Sequence, residues 1–146
     1  MTIAVINGPN LNLLGVREPD VYGRESLADV ERALRDVAAG AGVEIEFVQK
    51  NGEGELIDAI HEMRGRVDGV VINAGAYTHS SLALRDALVG IAVPYVEVHV
   101  TNVYAREPER RHSMLAPAAV GVVCGLGAYG YELALRGLLR SLAARA

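Results

Sequence analysis

The run PYVEVHV, 94–100, carries a carboxylate and an imidazole two residues apart, Glu97 and His99. On a strand such residues share a face. A carboxylate beside an imidazole orients the ring and raises its basicity, which suits a general acid or base. The competing reading is a histidine satisfied by a nearby backbone carbonyl. The stretch NLNLLGVREPDVYG, 10–23, sets Asn10, Arg17 and Tyr22 among Gly15, Pro19 and Gly23. A plain strand-to-helix connection needs only a few residues, so an arginine and a tyrosine on a loop this long call for a chemical reason. In INAGAYTHSS, 72–81, Asn73 closes an apolar run and offers two donors and an acceptor to a water or a hydroxyl. His79 stands just before a helix start at Ser80 or Ser81, where backbone amides favour anionic groups. Turn chemistry with a serine as a simple helix cap explains the same residues without a ligand. Finally, YAREPERRHS, 104–113, bears Arg106, Arg110, Arg111 and His112. Arginine suits two-pronged carboxylate binding, although most of such a run is expected to be a solvated charged loop.

Other chemistries find little support. Paired ligands at metal-binding spacing, such as HxH or HExxH, are absent, and one cysteine, Cys124, cannot form an internal disulfide. Its setting, VGVVCG, suggests a buried structural thiol. GLGAYG, 125–130, spells G-x-G-x-x-G. It follows the last apolar run instead of the first and has no strand or acidic ribose ligand after it, so it reads as a tight turn into a helix.

These residues need a scaffold, and the hydrophobic pattern supplies one. Five β-type runs, 2–6, 43–48, 68–73, 94–100 and 119–125, alternate with helical patterns. That alternation implies βαβ units and a mostly parallel sheet. The first helix is expected from Ser26, with Asp29 at capping-box spacing and Leu27, Val30, Leu34 and Val37 on one face. Further helices are expected near 54–64, from Ser80 or Ser81 through LALRDALVG, and over 129–144 with Leu133, Leu135, Leu138 and Leu139. The expected fold is a single α/β domain, 1–146, flavodoxin-like, with a five-stranded parallel sheet and helices on both faces. In such sheets the ligand sits beyond the carboxyl ends of the strands, which is where the polar residues named above fall.

The totals narrow the partners. A formal charge of −4 argues against a nucleic-acid partner. No apolar run approaches the ~20 residues of a membrane span, and the N-terminal run is too short for a signal peptide. The expectation is a soluble, cytoplasmic protein.

Taken together, NGPNLNLLGVREPDVYG, EGELIDAIH, INAGAYTHSSLALRDAL, PYVEVHVTN and AREPERRHS with GVVCGLGAYGYELAL resemble the type II 3-dehydroquinate dehydratases over residues 3–140. The resemblance implies dehydration of 3-dehydroquinate to 3-dehydroshikimate by anti elimination through an enolate, with no cofactor, metal or lysine imine. It implies a dodecamer, a tetramer of trimers. Tyr22 would be the base, with Arg17 supplying positive charge that favours the phenolate on a loop that closes over substrate. His99 would protonate the departing hydroxyl, oriented by Glu97. Asn10 would polarise groups near Tyr22, and Asn73 would hold a water that helps carry the enolate charge. The substrate carboxylate would meet the backbone at Val100 and Thr101, and His79 and Arg110 would bind ring hydroxyls. Asp86 would reach the site of a neighbouring subunit. Arg106 is expected to support the site from behind, and Glu53 is a candidate for the same role.

The chain departs from the family pattern at Thr101, where serine is usual, and at Tyr104, Glu109, Lys50 and Gly52, none of which removes a proposed catalytic group. Lys50 is the only lysine and lies in a polar loop. That is a poor setting for the desolvated amine that an imine mechanism needs. The alternative function is a non-catalytic flavodoxin-like protein binding a small ligand such as a nucleotide or flavin. Against it, the first loop lacks a phosphate-gripping Ser/Thr-rich segment and the chain has no tryptophan. A phosphoacceptor signalling domain would need an acidic cluster where the strand ends carry Asn, His and Gln.

Overall fold

The five apolar runs become the strands of one parallel sheet in the order β2-β1-β3-β4-β5. The computed structural model describes all residues, Met1–Ala146. The strands are β1 Thr2–Asn7, β2 Glu44–Gln49, β3 Gly69–Asn73, β4 Tyr95–His99 and β5 Gly121–Cys124. β1, β3 and β4 are central and almost wholly buried. Their Val and Ile side chains face helices on both sides, as a parallel sheet requires. Side chains such as Ile3, Ile6 and Ile72 are fully buried, and each contributes about 1.5–3 kcal/mol by leaving water.

Helices α2 Leu27–Ala41 and α5 Tyr129–Arg145 cover one face, while α3 Glu53–Glu62 and α4 Leu82–Gly90 cover the other. The capping box at α2 forms as its spacing implies: Asp29 N–H donates to Ser26 Oγ and Ser26 N–H to the Asp29 carboxylate. Ser81 caps α4 by accepting from Leu84 N–H. Leu135 and Leu138 of α5 are buried, and Leu133 is only half-buried. No helix is long and apolar enough to cross a membrane.

Two expectations need correction. Cys124 is half-buried, not enclosed, because β5 is an edge strand and leaves Val122 beside it exposed as well. The 10–23 stretch also carries structure of its own. A 3-10 turn, Leu11–Leu13, precedes α1 Pro19–Tyr22, in which proline takes the first helical position. Leu11 and Leu14 anchor the stretch in the protein. Gly15 has a positive φ of 89°, and a Cβ there would stand 2.8 Å from the Arg24 carbonyl oxygen, so the loop folds back against its own exit.

Candidate functional site

At the carboxyl ends of β1 and β3 the backbones nearly touch. Gly8 N–H donates to Asn73 O at 2.8 Å. A Cβ on Gly8 would sit 2.4 Å from the Ala74 carbonyl oxygen, so only glycine fits there. This contact brings the 10–23 stretch over the ends of β3 and β4 and closes a cavity of about 80 Å³. Asn10, Arg17, Tyr22, Asn73, His79, His99, Val100, Thr101 and Arg110 all line it, together with Arg106. Residues far apart in sequence thus meet in one pocket, at the end of the sheet where ligands bind in open α/β folds.

Glu97 and His99 share a face of β4 and form a buried pair, His99 Nε2 against Glu97 Oε2. Nδ1 of His99 is the ring nitrogen left for a ligand. Glu97 is 1% exposed, and three groups converge on its carboxylate. Ser113 Oγ donates at 2.7 Å and Thr78 Oγ1 at 3.0 Å, with His99 the third. Burial pushes the carboxyl upward, but these bonds and the nearby imidazole outweigh it and hold Glu97 below the usual carboxylate range. Ser113 also accepts from Leu115 and Ala116 N–H. Tyr95 O–H donates to Leu115 O, which ties the arginine-bearing segment to the pair. Burial, with Glu97's charge, pushes the Tyr95 phenol up to about 12, so it remains a donor.

Two guanidinium groups lie close to Tyr22. Arg17 Cζ lies 5.0 Å from its ring centroid and Arg106 Cζ lies 5.3 Å away, both within cation–π range. Arg106 Nη1 donates to the phenol oxygen at 2.9 Å. Sequence reasoning set Arg106 behind the site; it lines the cavity and touches the tyrosine oxygen. On the far side of Tyr22 lies a larger groove of about 430 Å³, and Tyr22, Val100, Thr101 and Arg106 border both spaces.

The pocket's rim is built from local polar contacts. His79 Nδ1 donates to His112 O at 2.8 Å, which leaves Nε2 as the ring nitrogen free to meet a ligand. Its ring lies near-parallel to that of His99, with centroids 6.3 Å apart. Arg110 pairs with Glu107 and still lines the cavity. Arg111 is exposed and donates to Arg106 O. Asn10 takes a left-handed backbone with φ of 69°, a conformation asparagine tolerates better than most residues. Its N–H donates to Asn51 Oδ1 at 3.1 Å, and Gln49 Nε2 braces Gly8 O and Asn51 Oδ1.

Two residues stand apart from the pocket. Asp86 is exposed on α4, beside His61 and Arg64, and lines a separate depression. Glu53 is exposed in the first turn of α3. Thr78, Ser113, Gln49, Asn51 and Tyr131 support the site and were not singled out from sequence. Their one shared signal is a polar group at the end of a strand, or opposite one, where the fold would otherwise be apolar.

Residues 1–139 match the family model described as Dehydroquinase class II. The chain is 63% identical to a 3-dehydroquinate dehydratase of Gemmatimonas aurantiaca over 142 residues, which cover 97% of this chain and 93% of that one. It is 56% identical to a 3-dehydroquinate dehydratase of Vibrio cholerae over 143 residues, 98% of this chain and 95% of that one. Among solved structures it is similar to the type II dehydroquinase from Butyrivibrio crossotus. There the TM-score is 0.92 at 42% identity, covering 95% of this chain and 97% of that chain.

Proposed function

Because this chain belongs to the class II dehydroquinase family, we propose that its strand-end pocket is where 3-dehydroquinate loses water to give 3-dehydroshikimate. The enzyme is a hydro-lyase, and the binding-protein alternative is not favoured when relatives this similar are named dehydratases. The observation that carries the assignment of the site is one cavity lined by both a guanidinium-flanked tyrosine and a carboxylate-paired histidine. Elimination through an enolate needs a base, an acid and positive charge, and that cavity supplies all three.

Tyr22 takes the proton next to the ketone. The negative charge its oxygen carries as a base is met by the Arg106 bond and by Arg17 over the ring. The electron pair passes into the enolate, whose oxygen is served by the water held at Asn73. Collapse of the enolate expels the hydroxyl, which takes a proton from His99 and leaves as water. Glu97 stabilises the imidazole while it is charged and fixes the ring. The tyrosine ends with one proton more and the histidine with one fewer, and exchange with solvent restores both. Asn10 polarises groups beside Tyr22. The backbone at Val100 and Thr101 receives the substrate carboxylate, and His79 and Arg110 bind the ring hydroxyls.

Asp86 completes the site of a neighbouring subunit in a trimer, four of which make a dodecamer. Its exposure away from its own chain's pocket supports that reading. The enzyme works in the cytoplasm, to which a lone unpaired cysteine is suited.

The direct test mixes purified enzyme with 3-dehydroquinate and follows the ultraviolet absorbance of the conjugated product. The expected result is a rise that Tyr22→Phe nearly abolishes while the protein stays folded. A Tyr22→Phe variant with most of its activity intact overturns the assignment of the base.

A further inference from the structure

The two ends of an asparagine amide have one shape and opposite polarity, so an amide that serves a reaction must have its orientation set by its surroundings. Asn73 is 3% exposed and lines the cavity. Its Oδ1 accepts from Gly75 N–H at 3.1 Å, and its Nδ2 donates to Tyr131 Oη at 2.9 Å. Tyr131, in the first turn of α5, is fully buried and donates its own proton to Asn7 Oδ1 at 2.6 Å. Asn7, at the end of β1, is fully buried too, and its Nδ2 is the one buried side-chain nitrogen or oxygen without a partner.

This relay runs in one direction. The Tyr131 proton is committed to Asn7, so the phenol oxygen can only accept, and it demands the NH₂ end of Asn73. Reversing the relay would turn the Asn73 NH₂ against Gly75 N–H, donor against donor. The arrangement that remains leaves the second Nδ2 hydrogen and the second Oδ1 lone pair of Asn73 without a protein partner. It leaves the unmet donor at Asn7, which does not line the cavity. A buried unpaired group asks for an explanation, and here it accompanies a fixed orientation. Burial pushes the Tyr131 phenol far above its ordinary range, so the relay keeps its proton wherever the protein is folded. Tyr131 does not line the cavity.

We propose that Tyr131 is a positioning residue for the dehydration, fixing the orientation of the Asn73 amide that holds the water serving the enolate oxygen. The proposal rests on the functional reading above and adds to it a residue that never meets substrate.

The test compares the full-length enzyme with Tyr131→Phe, Asn73→Ala and the double variant, taking kcat and KM for 3-dehydroquinate beside thermal unfolding. Tyr131→Phe is expected to lower kcat by about 10–100-fold, below the loss of a whole charge-stabilising donor, with little change in KM. In the Asn73→Ala background the same substitution should lower kcat by no more than about twofold, although it still lowers the melting temperature. A merely structural tyrosine would lower kcat by the same factor in both backgrounds, and that result overturns the proposal. So does Asn73→Ala with unchanged kcat, since nothing then needs orienting. Asn7→Ala keeps the phenol and frees its proton. If Tyr131→Phe does not fold, this variant carries the test, with a smaller loss of kcat that must likewise vanish in the Asn73→Ala background. An inactive parent overturns the functional reading and this inference together; an active parent insensitive to Tyr131→Phe overturns the inference alone.

Discussion

Replacing Arg106 by alanine removes two contacts to the proposed base. One is the hydrogen bond from Nη1 to the Tyr22 oxygen at 2.9 Å, and the other is the guanidinium 5.3 Å from the ring centroid. A hydrogen bond with one charged partner contributes about 2 kcal/mol, and a cation–π contact at a half-exposed site contributes about 0.5–1 kcal/mol. The sum is near 3 kcal/mol, acting on the oxygen that gains and gives up charge. At about 1.4 kcal/mol per factor of ten, kcat/KM for 3-dehydroquinate should fall on the order of 100-fold. Arg17 stays over the ring, so activity should be reduced and not eliminated. Arg106→Lys keeps the charge and loses the planar fork; it should recover roughly a factor of ten of that loss. The assay is the rise of product absorbance at substrate concentrations well below KM, with melting temperatures measured in parallel. An Arg106→Ala enzyme within about threefold of the parent, or a lysine variant no better than alanine, would refute the coupling of Arg106 to Tyr22.

Two further perturbations test the supports of the pocket. Glu97→Gln keeps a single acceptor oxygen, which Thr78 and Ser113 can share at the Oε2 position, but withdraws the charge beside the proposed acid, so kcat should fall on the order of 100-fold. Because the folded protein holds this carboxyl below its ordinary value of 4.5, the unfolded chain binds the extra proton first. Its stabilisation is therefore complete above about 4.5 and lost as pH falls below it. Acid should lower the parent's melting temperature more steeply than that of Glu97→Gln, and parallel curves would contradict the effect. Gly8→Ala drives a Cβ to 2.4 Å from the Ala74 carbonyl oxygen. The ends of β1 and β3 must then part, with a stability loss of about 1–3 kcal/mol in denaturant titration and a comparable loss of turnover; a variant with parental stability and rate would rule out the close approach.

What sequence could tell followed the range of the interactions. Glu97 and His99 lie on one strand, where a period of two is enough to pair them, and Ser26 with Asp29 form a cap whose geometry is local. The strand-end location of the site follows from βαβ alternation alone. Arg106 was harder to place. It sits among four basic or titratable residues on one irregular segment, and two short 3-10 turns, Val103–Ala105 and Pro108–Arg110, decide which of them turn inward. Nothing periodic distinguishes Arg106 and Arg110, which line the cavity, from Arg111, which does not. Thr78 and Ser113 meet Glu97 from different segments, and Tyr131 reaches Asn7 and Asn73 only because α5 packs against β3 and β4. Contacts of that kind depend on how finished elements dock. The exposure of Cys124 was misjudged for a related reason: an apolar run does not say whether its strand will lie at the centre of a sheet or at its edge.

The strand order has a consequence for how the enzyme comes into being. β1 precedes every other strand in the chain and yet lies inside the sheet, between β2 and β3. As synthesis proceeds, it waits with one edge open until residues 69–73 have emerged. The face that α2 begins to cover stays open over β3 and β4 until Tyr131, Leu135 and Leu138 of α5 arrive. The groups lining the pocket run from Pro9 to Arg110, and the helix that braces them comes last. A nascent chain stopped before residue 129 therefore holds every side chain that lines the pocket but lacks the Tyr131, Leu135 and Leu138 side chains that complete the core on that face. Docking of the final helix is therefore a late requirement of synthesis, met only after every residue that lines the pocket has emerged.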